Sequence, residues 1–390
     1  MYTLLTDKSI SDGKTHGLRA YSTANGKISG IENAPSANSH FYGEVIDLRG
    51  LTVMPGLIDI HTHGLMGLDV MSATPEQINE MSVHKQKEGV TSFFPSTVTS
   101  PMENIYDAVE NIRLAISAGI DGANIAGIFL EGPYINPEFK GAHVPEYIKP
   151  INLDDIKNLA LTAQKAVPSG IASIIIAPDI PNATEAIQSL SALGINCCLG
   201  HTAASYEQGV AGIKAGGKIA IHTYNAMSQL QHRAPGMVGA ILTSEDIYAE
   251  LICDFIHVHP AAIKVAFLAK GPDKTILVTD SAAPAGLPDG EYNLGRYTII
   301  KKDGVARTPG GAIASSSIGL ISCVKNMYEV VGTTLADAVT MATATPAKAV
   351  GMYEYAGSLC EGKNADIIAI DDDFNVRFVI VGGVVKHMSV

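Results

Sequence analysis

The chain has 390 residues, 27 of them basic and 39 acidic, for a net charge of 27 − 39 = −12. Such a balance repels polyanions, so nucleic acid is not an expected partner and any anionic ligand must be caught by a local basic site. With 46% hydrophobic and 17% charged residues the sequence can build a large core, and intrinsic disorder is excluded.

Met1 to Lys8 contains no basic stretch leading into an apolar run, so no secretory leader is expected. The apolar runs, such as Ile171 to Pro178, are too short to cross a bilayer, and no membrane partner is expected. Five cysteines (Cys197, Cys198, Cys253, Cys323 and Cys360) lie in apolar surroundings. An odd number with two adjacent suits reduced core thiols better than a disulfide framework, and the cytoplasm is the expected compartment.

Residues 1–50 alternate short apolar stretches with Gly, Asn and Asp; Gly26 to Ile31 and Gly43 to Leu48 read as brief strands. From Pro55 onward another rule holds. Apolar, β-rich runs recur at helix-plus-loop intervals: Gly56 to His61, Val90 to Pro95, Ile125 to Leu130, Ile171 to Ala177, Ile195 to Leu199, Ile219 to Ile221, Tyr248 to Cys253 and Thr275 to Val278. Helices are expected between them at Pro75 to Glu88, Met102 to Ile116, Leu153 to Ala166, Thr184 to Leu193, Ser205 to Ala215 and Pro260 to Ala269.

Continuous apolar strands alternating with helices predict an α/β fold whose parallel sheet is covered on both faces. Eight strands close a (β/α)8 TIM-like barrel. The alternative is an open doubly wound sheet, against which no Gly-rich dinucleotide fingerprint follows the first strand. The C-terminus returns to the texture of the N-terminus, with strands at Asp366 to Ile370, Val376 to Val381 and Val384-Val385, and Gly382-Gly383 as a hairpin turn. Residues 1–54 and 355–390 are therefore expected to form one small β-sandwich domain, and residues 55–354 the barrel.

The strand ends carry the chemistry. The first runs into Asp59-Ile60-His61-Thr62-His63, the third into Glu131-Gly132-Pro133, the fifth into Gly200-His201-Thr202, the sixth into His222-Thr223 and the eighth into Thr279-Asp280-Ser281. In a barrel those carboxyl ends share one mouth. Each element alone is a weak signal, but four imidazoles and two carboxylates in one register point to a divalent-metal site. Alternate residues of an extended segment point the same way, so His61 and His63 can face one cation together. The absence of cysteine argues against a closed structural zinc site; Zn, Fe, Mn and Co all suit the donors. Six donors suffice for two metals bridged by Glu131, with one ion and spare ligands as the alternative. Such a metal lowers the pKa of coordinated water towards about 7, and Asp280 can take the water's proton to a leaving group. The reaction class is metal-assisted hydrolysis of an amide, ester or amidine.

Pro55 to His63 with the later His, His and Asp resembles the amidohydrolase superfamily, which implies a metal-dependent hydrolase on a (β/α)8 barrel with a small β-sandwich built from both chain ends. Three longer stretches narrow the resemblance to the N-acetylglucosamine-6-phosphate deacetylase family: Glu131 to Pro137 with Lys140 to His143, His222 to Ser228 with His232 to Gly236, and Val278 to Asp280 with Ala285 to Tyr292.

The resemblance implies removal of acetate from a 2-acetamido sugar phosphate. Glu131, His201 and His222 resemble the family's metal triad and Asp280 its acid/base; His61 and His63 add the two-metal variety. His143, after Ala142, resembles a residue that bonds the substrate near its acetamido group. Asn225 and Ala226 through backbone N–H groups, with Arg233 and His257, resemble the phosphate site. In the family the counterpart of His257 reaches in from a neighbouring subunit, which implies a homodimer. Ile313, Ala314 and Ser315 are only similar to the sugar-contacting loop, and the run Ser281-Ala282-Ala283-Pro284 departs from many relatives. The sugar epimer therefore stays open between gluco and galacto. Cyclic-amide hydrolysis, deamination and a non-enzymatic binding barrel are the remaining alternatives.

Overall fold

The computed structural model describes residues 1–36, 39–41, 43–294 and 297–389. Eight strands follow one another round a parallel barrel: β1 (Leu57–Thr62), β2 (Val90–Thr97), β3 (Ile128–Leu130), β4 (Ala172–Ile176), β5 (Asn196–Leu199), β6 (Gly217–Ala220), β7 (Tyr248–Ile252) and β8 (Thr275–Val278). Each pairs in parallel with the next. The circle is completed by a Thr62–Ser281 bridge, with the Asp280 N–H donating to the His61 carbonyl at 2.9 Å and the His63 N–H to the Ser281 carbonyl at 2.7 Å.

The strands read as unbroken apolar runs because both faces are buried, each against a different core. Ile58, Ile60, Phe94, Phe129, Ile175, Cys198, Ile219, Ile252 and Ile276 belong to one cluster inside the barrel. Leu57, Phe93, Ile128, Leu130, Ile174, Ile176, Cys197, Ala220, Leu251 and Leu277 belong to the layer beneath the helices. The expected strand over 125–130 is divided, since Asn124–Ile125 pairs with β2 before β3 begins. At the break, a Cβ on Gly127 would come within 2.4 Å of the Phe94 ring.

The expected helices form at Pro75–Lys87, Met102–Ala118, Leu153–Ala166, Ala183–Ala192, Tyr206–Lys214 and Pro260–Lys270. Thr74 with Gln77, and Ser205 with Gln208, make reciprocal capping boxes that start two of them. Ser205 thus caps its helix instead of lying within it.

The two chain ends meet in a pair of sheets. One is a six-stranded sheet in the order Val384–Met388, Val376–Val381, Ile367–Ile370, Thr52–Pro55, Lys8–Ser11, Lys14–His16. The other is four-stranded, in the order Lys27–Asn33, Arg19–Ala24, Tyr2–Thr6, Glu44–Asp47. Leu4, Tyr21, Ile28, Val53, Ile367 and Phe378 fill the space between them. Gly382 (φ 55°) and Gly383 (φ 79°) form the predicted hairpin turn, both left-handed.

Some elements were not anticipated. After β8 an antiparallel sheet, Gly290–Leu294, Tyr297–Lys302, Val305–Arg307 and Ile313–Ser315, is inserted beside the barrel mouth. Four cysteines are buried as expected of core thiols, but Cys360 is exposed, its sulfur 3.6 Å from Asp12 Oδ2. Among the described residues no helix is long and apolar enough to cross a membrane.

Candidate metal centre

His201, His222 and Asp280 each stand two residues past the last residue of β5, β6 and β8, and each has left-handed backbone, at φ 44°, 27° and 46°. A non-glycine residue holds that conformation only where its surroundings enforce it, at about 1–3 kcal/mol each. In all three the turn away from the strand carries the side chain into the barrel mouth.

β1 reaches the same end by another device. Ile58 and Ile60 face the inner core, whereas Asp59 meets Lys85 on the helix side. Simple alternation would send His61 outward with Asp59. A bulge intervenes: the three-residue step from Asp59 to Thr62 matches the two-residue step from Phe93 to Pro95 on β2. His61 therefore turns inward, its ring edge-on to Phe129 at 4.7 Å, and Thr62 faces out to bond Ser281 Oγ at 2.8 Å.

The donors meet in two linked groups. His61 Nε2 and His63 Nε2 are 3.2 Å apart, and 3.5 and 3.3 Å from Asp280 Oδ1. His201 Nε2 and His222 Nε2 are 3.1 Å apart, and 3.3 and 3.2 Å from Glu131 Oε1. The other oxygen of Glu131 lies 3.2 Å from His63 Nε2, so this carboxylate spans both groups. Four donors around one ion at about 2.0–2.1 Å stand about 3.3–3.4 Å from one another, which is the spacing found here.

Outer hydrogen bonds set which nitrogen of each ring is bare. His201 Nδ1–H donates to the Phe139 carbonyl at 2.7 Å, His63 Nδ1–H to the Ser96 carbonyl at 3.1 Å and His61 Nδ1–H to Glu250 Oε2 at 3.1 Å. In each the Nε2 lone pair is left for a metal. His222 Nδ1 is buried without a partner among the described residues. His143 is the opposite case. Its Nε2 also comes near Glu131, at 3.4 Å from Oε2, and it groups spatially with Glu131 and His201. Yet its Nδ1 accepts the Thr99 N–H at 3.2 Å. The neutral ring then carries its proton on Nε2 and faces the cavity as a donor, not a ligand.

The charges are strongly coupled. Burial opposes charge on His61, but Asp280 and the hydrogen bonds to Glu131 and Glu250 hold its imidazole well above the ordinary value. His63, also buried, is raised to about 9 by its bonds to Asp280 and Glu131. In His201 burial prevails over the bond to Glu131, and the ring is lowered to about 4. Burial would raise both carboxyls, but His143, His201 and His222 around Glu131, and His61 and His63 around Asp280, hold them well below the carboxylate range. A metal among these groups favours the same ionised carboxylates and displaces imidazole protons. The donor set therefore fits a divalent ion, and could hold two.

The donors floor a cavity of about 270 Å³ lined by His63, Glu131, Ala142, His143, His201, His222, Asn225, Ala226, His257, Asp280, Ile313 and Ala314. Gly141 also lines it, and Val98, Thr99, Ser100, Val144, Tyr147 and Leu294, none of them singled out by the sequence, complete it. His61 lies beneath, fully buried.

Four of the residues expected to contact substrate are placed as follows. The His257 ring lines this chain's own cavity, with Nδ1–H donating to Asp254 Oδ2 at 2.6 Å. Arg233 is exposed on the loop after Ser228 and stands outside the lining, as does buried Ser315. The Asn225 N–H is committed to the His222 carbonyl at 2.9 Å.

Two buried charge groups support the centre. Glu250 was hidden in the apolar run of β7. Lys85 Nζ, 1% exposed, bonds Asp59 Oδ2 at 2.8 Å and Ser281 Oγ at 3.2 Å, and Thr279 Oγ1 donates to Asp59 at 2.6 Å, so the residues on both sides of Asp280 are anchored. The only sequence hint was a charged residue inside an otherwise apolar strand.

Fold and donor set together define a hydrolase-type parallel barrel with metal-competent groups at its strand ends. Comparison with known proteins agrees. The chain belongs to the amidohydrolase family, whose model matches residues 52–386. It is 39% identical to the N-acetylglucosamine-6-phosphate deacetylase of Vibrio furnissii, over 92% of this chain and 88% of the relative. It is 36% identical to the N-acetylgalactosamine-6-phosphate deacetylase of Escherichia coli O157:H7, over 97% of this chain and 96% of the relative. The crystal structure of N-acetylglucosamine-6-phosphate deacetylase from Pasteurella multocida superposes with a TM-score of 0.92 and 31% identity, covering 99% of each chain.

Proposed function

We propose that the protein hydrolyses the acetamide of N-acetylglucosamine 6-phosphate to acetate and glucosamine 6-phosphate, with two divalent metals per chain. His61, His63 and Asp280 would hold one, His201 and His222 the other, and Glu131 would serve both. The observation that carries this reading is the contrast in tautomers. His61, His63 and His201 offer bare Nε2 atoms to the centre, while His143 offers an N–H from its edge.

Divalent metal supplies Lewis acidity to the acetyl carbonyl and makes water acidic enough to attack at neutral pH. The chain does the rest. His143 Nε2–H donates to the acetyl oxygen as it gains charge. Asp280 accepts the proton of the adding water and passes it to the amide nitrogen as the C–N bond breaks, so acetate and a free amine leave. Leu294, Ile313 and Ala314 wall the cavity against solvent. At the far end, His257 and the Ala226 backbone support a phosphate site. Left-handed φ values at Tyr224 (80°) and Ala226 (48°) flank Asn225, the alternating hand in which N–H groups converge on an anion. Arg233, outside the lining, contributes less to that reading than the sequence implied.

Residues 1–54 with 355–390 as the small domain, 55–354 as the barrel, a homodimer and a cytoplasmic location belong to the same proposal; sedimentation tests the dimer. The 36% identity to the galactosamine relative over nearly the whole chain supports a second reading, the same reaction on the galacto epimer. Acetate release from both phosphates, with and without a chelator, is the experiment. A higher kcat/KM on the gluco substrate and loss of activity on chelation are expected. Release from neither substrate refutes the proposal, and galacto preference transfers it to the second reading.

A further inference from the structure

Glu250 stands in β7 between Ala249 and Leu251, which face the helix layer, so its own side chain points into the barrel, 1% exposed. A carboxylate buried without donors is strongly disfavoured. Here one oxygen, Oε2, collects two: the His61 Nδ1–H at 3.1 Å and the His222 backbone N–H at 3.3 Å. One donor comes from each half of the metal centre. Glu250 touches the far edge of the His61 ring, opposite the Nε2 that faces His63 and Asp280, so it is not itself a ligand.

We propose that Glu250 is the positioning residue of the centre: by accepting the His61 Nδ1 proton it keeps the Nε2 lone pair turned to Asp280 and His63, and so sets the affinity of that half for a divalent metal. Without this acceptor the ring is free to carry its proton on Nε2, the nitrogen that must be bare to bind. The contact to the His222 N–H anchors the carboxylate, so it cannot follow a rotating ring. The inference rests on the two-metal reading above and concerns binding, not turnover.

The test is Co²⁺ titration of the metal-depleted full-length protein, followed by equilibrium dialysis and visible absorption, in a double-mutant cycle with His61→Ala. Glu250→Leu should weaken one of the two equivalents about 10–100-fold, with Glu250→Gln, which keeps an acceptor oxygen, in between. On the His61→Ala background the same substitution should change affinity less than about twofold. An unchanged affinity in Glu250→Leu overturns the proposal, as does an equal loss on both backgrounds, which a merely structural role would produce. Should the leucine variant lose its circular dichroism, Glu250→Gln runs the same cycle: a severalfold loss that depends on His61 supports the proposal and no loss overturns it. A protein whose Co²⁺ affinity depends on Glu250 through His61 but which releases no acetate refutes the deacetylase reading alone.

Discussion

Asp366 joins the small sheets to the barrel. Its carbonyl accepts the Gly56 N–H at 2.9 Å, and its Oδ1 accepts the Gly382 N–H at 2.7 Å. Burial raises this carboxyl from 3.8 to about 6 against the pull of the hydrogen bonds from Gly382 and Asn364 and the charge of Lys27. The folded value is the higher one, so the folded chain binds more protons than the unfolded chain between about pH 4 and pH 6, and stability falls as pH rises through that window. At about 1.36 kcal/mol per pH unit, the full loss above the window is about 3 kcal/mol, and about half of it is already present at about pH 5. Asp366→Asn keeps an oxygen for Gly382 and cannot ionise. Its stability relative to wild type should therefore rise by about 1.4 kcal/mol between about pH 5 and pH 8. Urea unfolding of both proteins across that range reads the difference directly, and titrations elsewhere cancel between them. A difference independent of pH, or an asparagine variant that declines as steeply as wild type, refutes the reasoning.

Asp280→Asn should lower kcat by about 10²–10⁴-fold, measured as acetate release, while elemental analysis still finds metal through the remaining imidazoles and Glu131. His143→Leu, which removes the Nε2–H donor, should cost about 10²–10³-fold in kcat with metal content unchanged; a variant depleted of metal would show His143 to be a ligand. Lys85→Met leaves Asp59 buried and uncompensated, and should destabilise the fold by about 3–5 kcal/mol in urea unfolding. Adding Asp59→Asn should recover part of that loss, and a double variant no better than the single would refute the pairing.

What the sequence revealed followed from burial. A strand covered on both faces reads as an unbroken apolar run, so the polar residues at its end stand out, and His201, His222, Glu131 and Asp280 were legible for that reason. The helix start at Pro75 was legible, whereas Ser205, expected as the first helical residue, caps the helix from outside it. Features set by strand pairing were not legible. Alternation alone places His61 beside Asp59, towards Lys85, and only the bulge against β2 turns it inward. Glu250 lies within Tyr248 to Cys253, where a lone acid reads as an ordinary solvent-facing residue. The antiparallel sheet at the mouth was overlooked although Asp303 (φ 52°) and Gly304 (φ 78°) form its tight turn, for which an Asp-Gly pair is a sequence signal. No local pattern fixes the direction of the loop bearing Arg233, so its distance from the cavity emerges only from the fold.

The strand Thr52–Pro55 lies between Lys8–Ser11 and Ile367–Ile370, and the barrel begins two residues beyond it. On the ribosome its first neighbour is available at once, but the second is made only after the whole barrel has emerged. Until then a nascent chain carries a bare β edge beside its first metal-site strand, ready to pair with another chain. A chain ended before residue 367 keeps that edge permanently, so such truncations should aggregate instead of yielding a working barrel, however complete their metal centre is on paper.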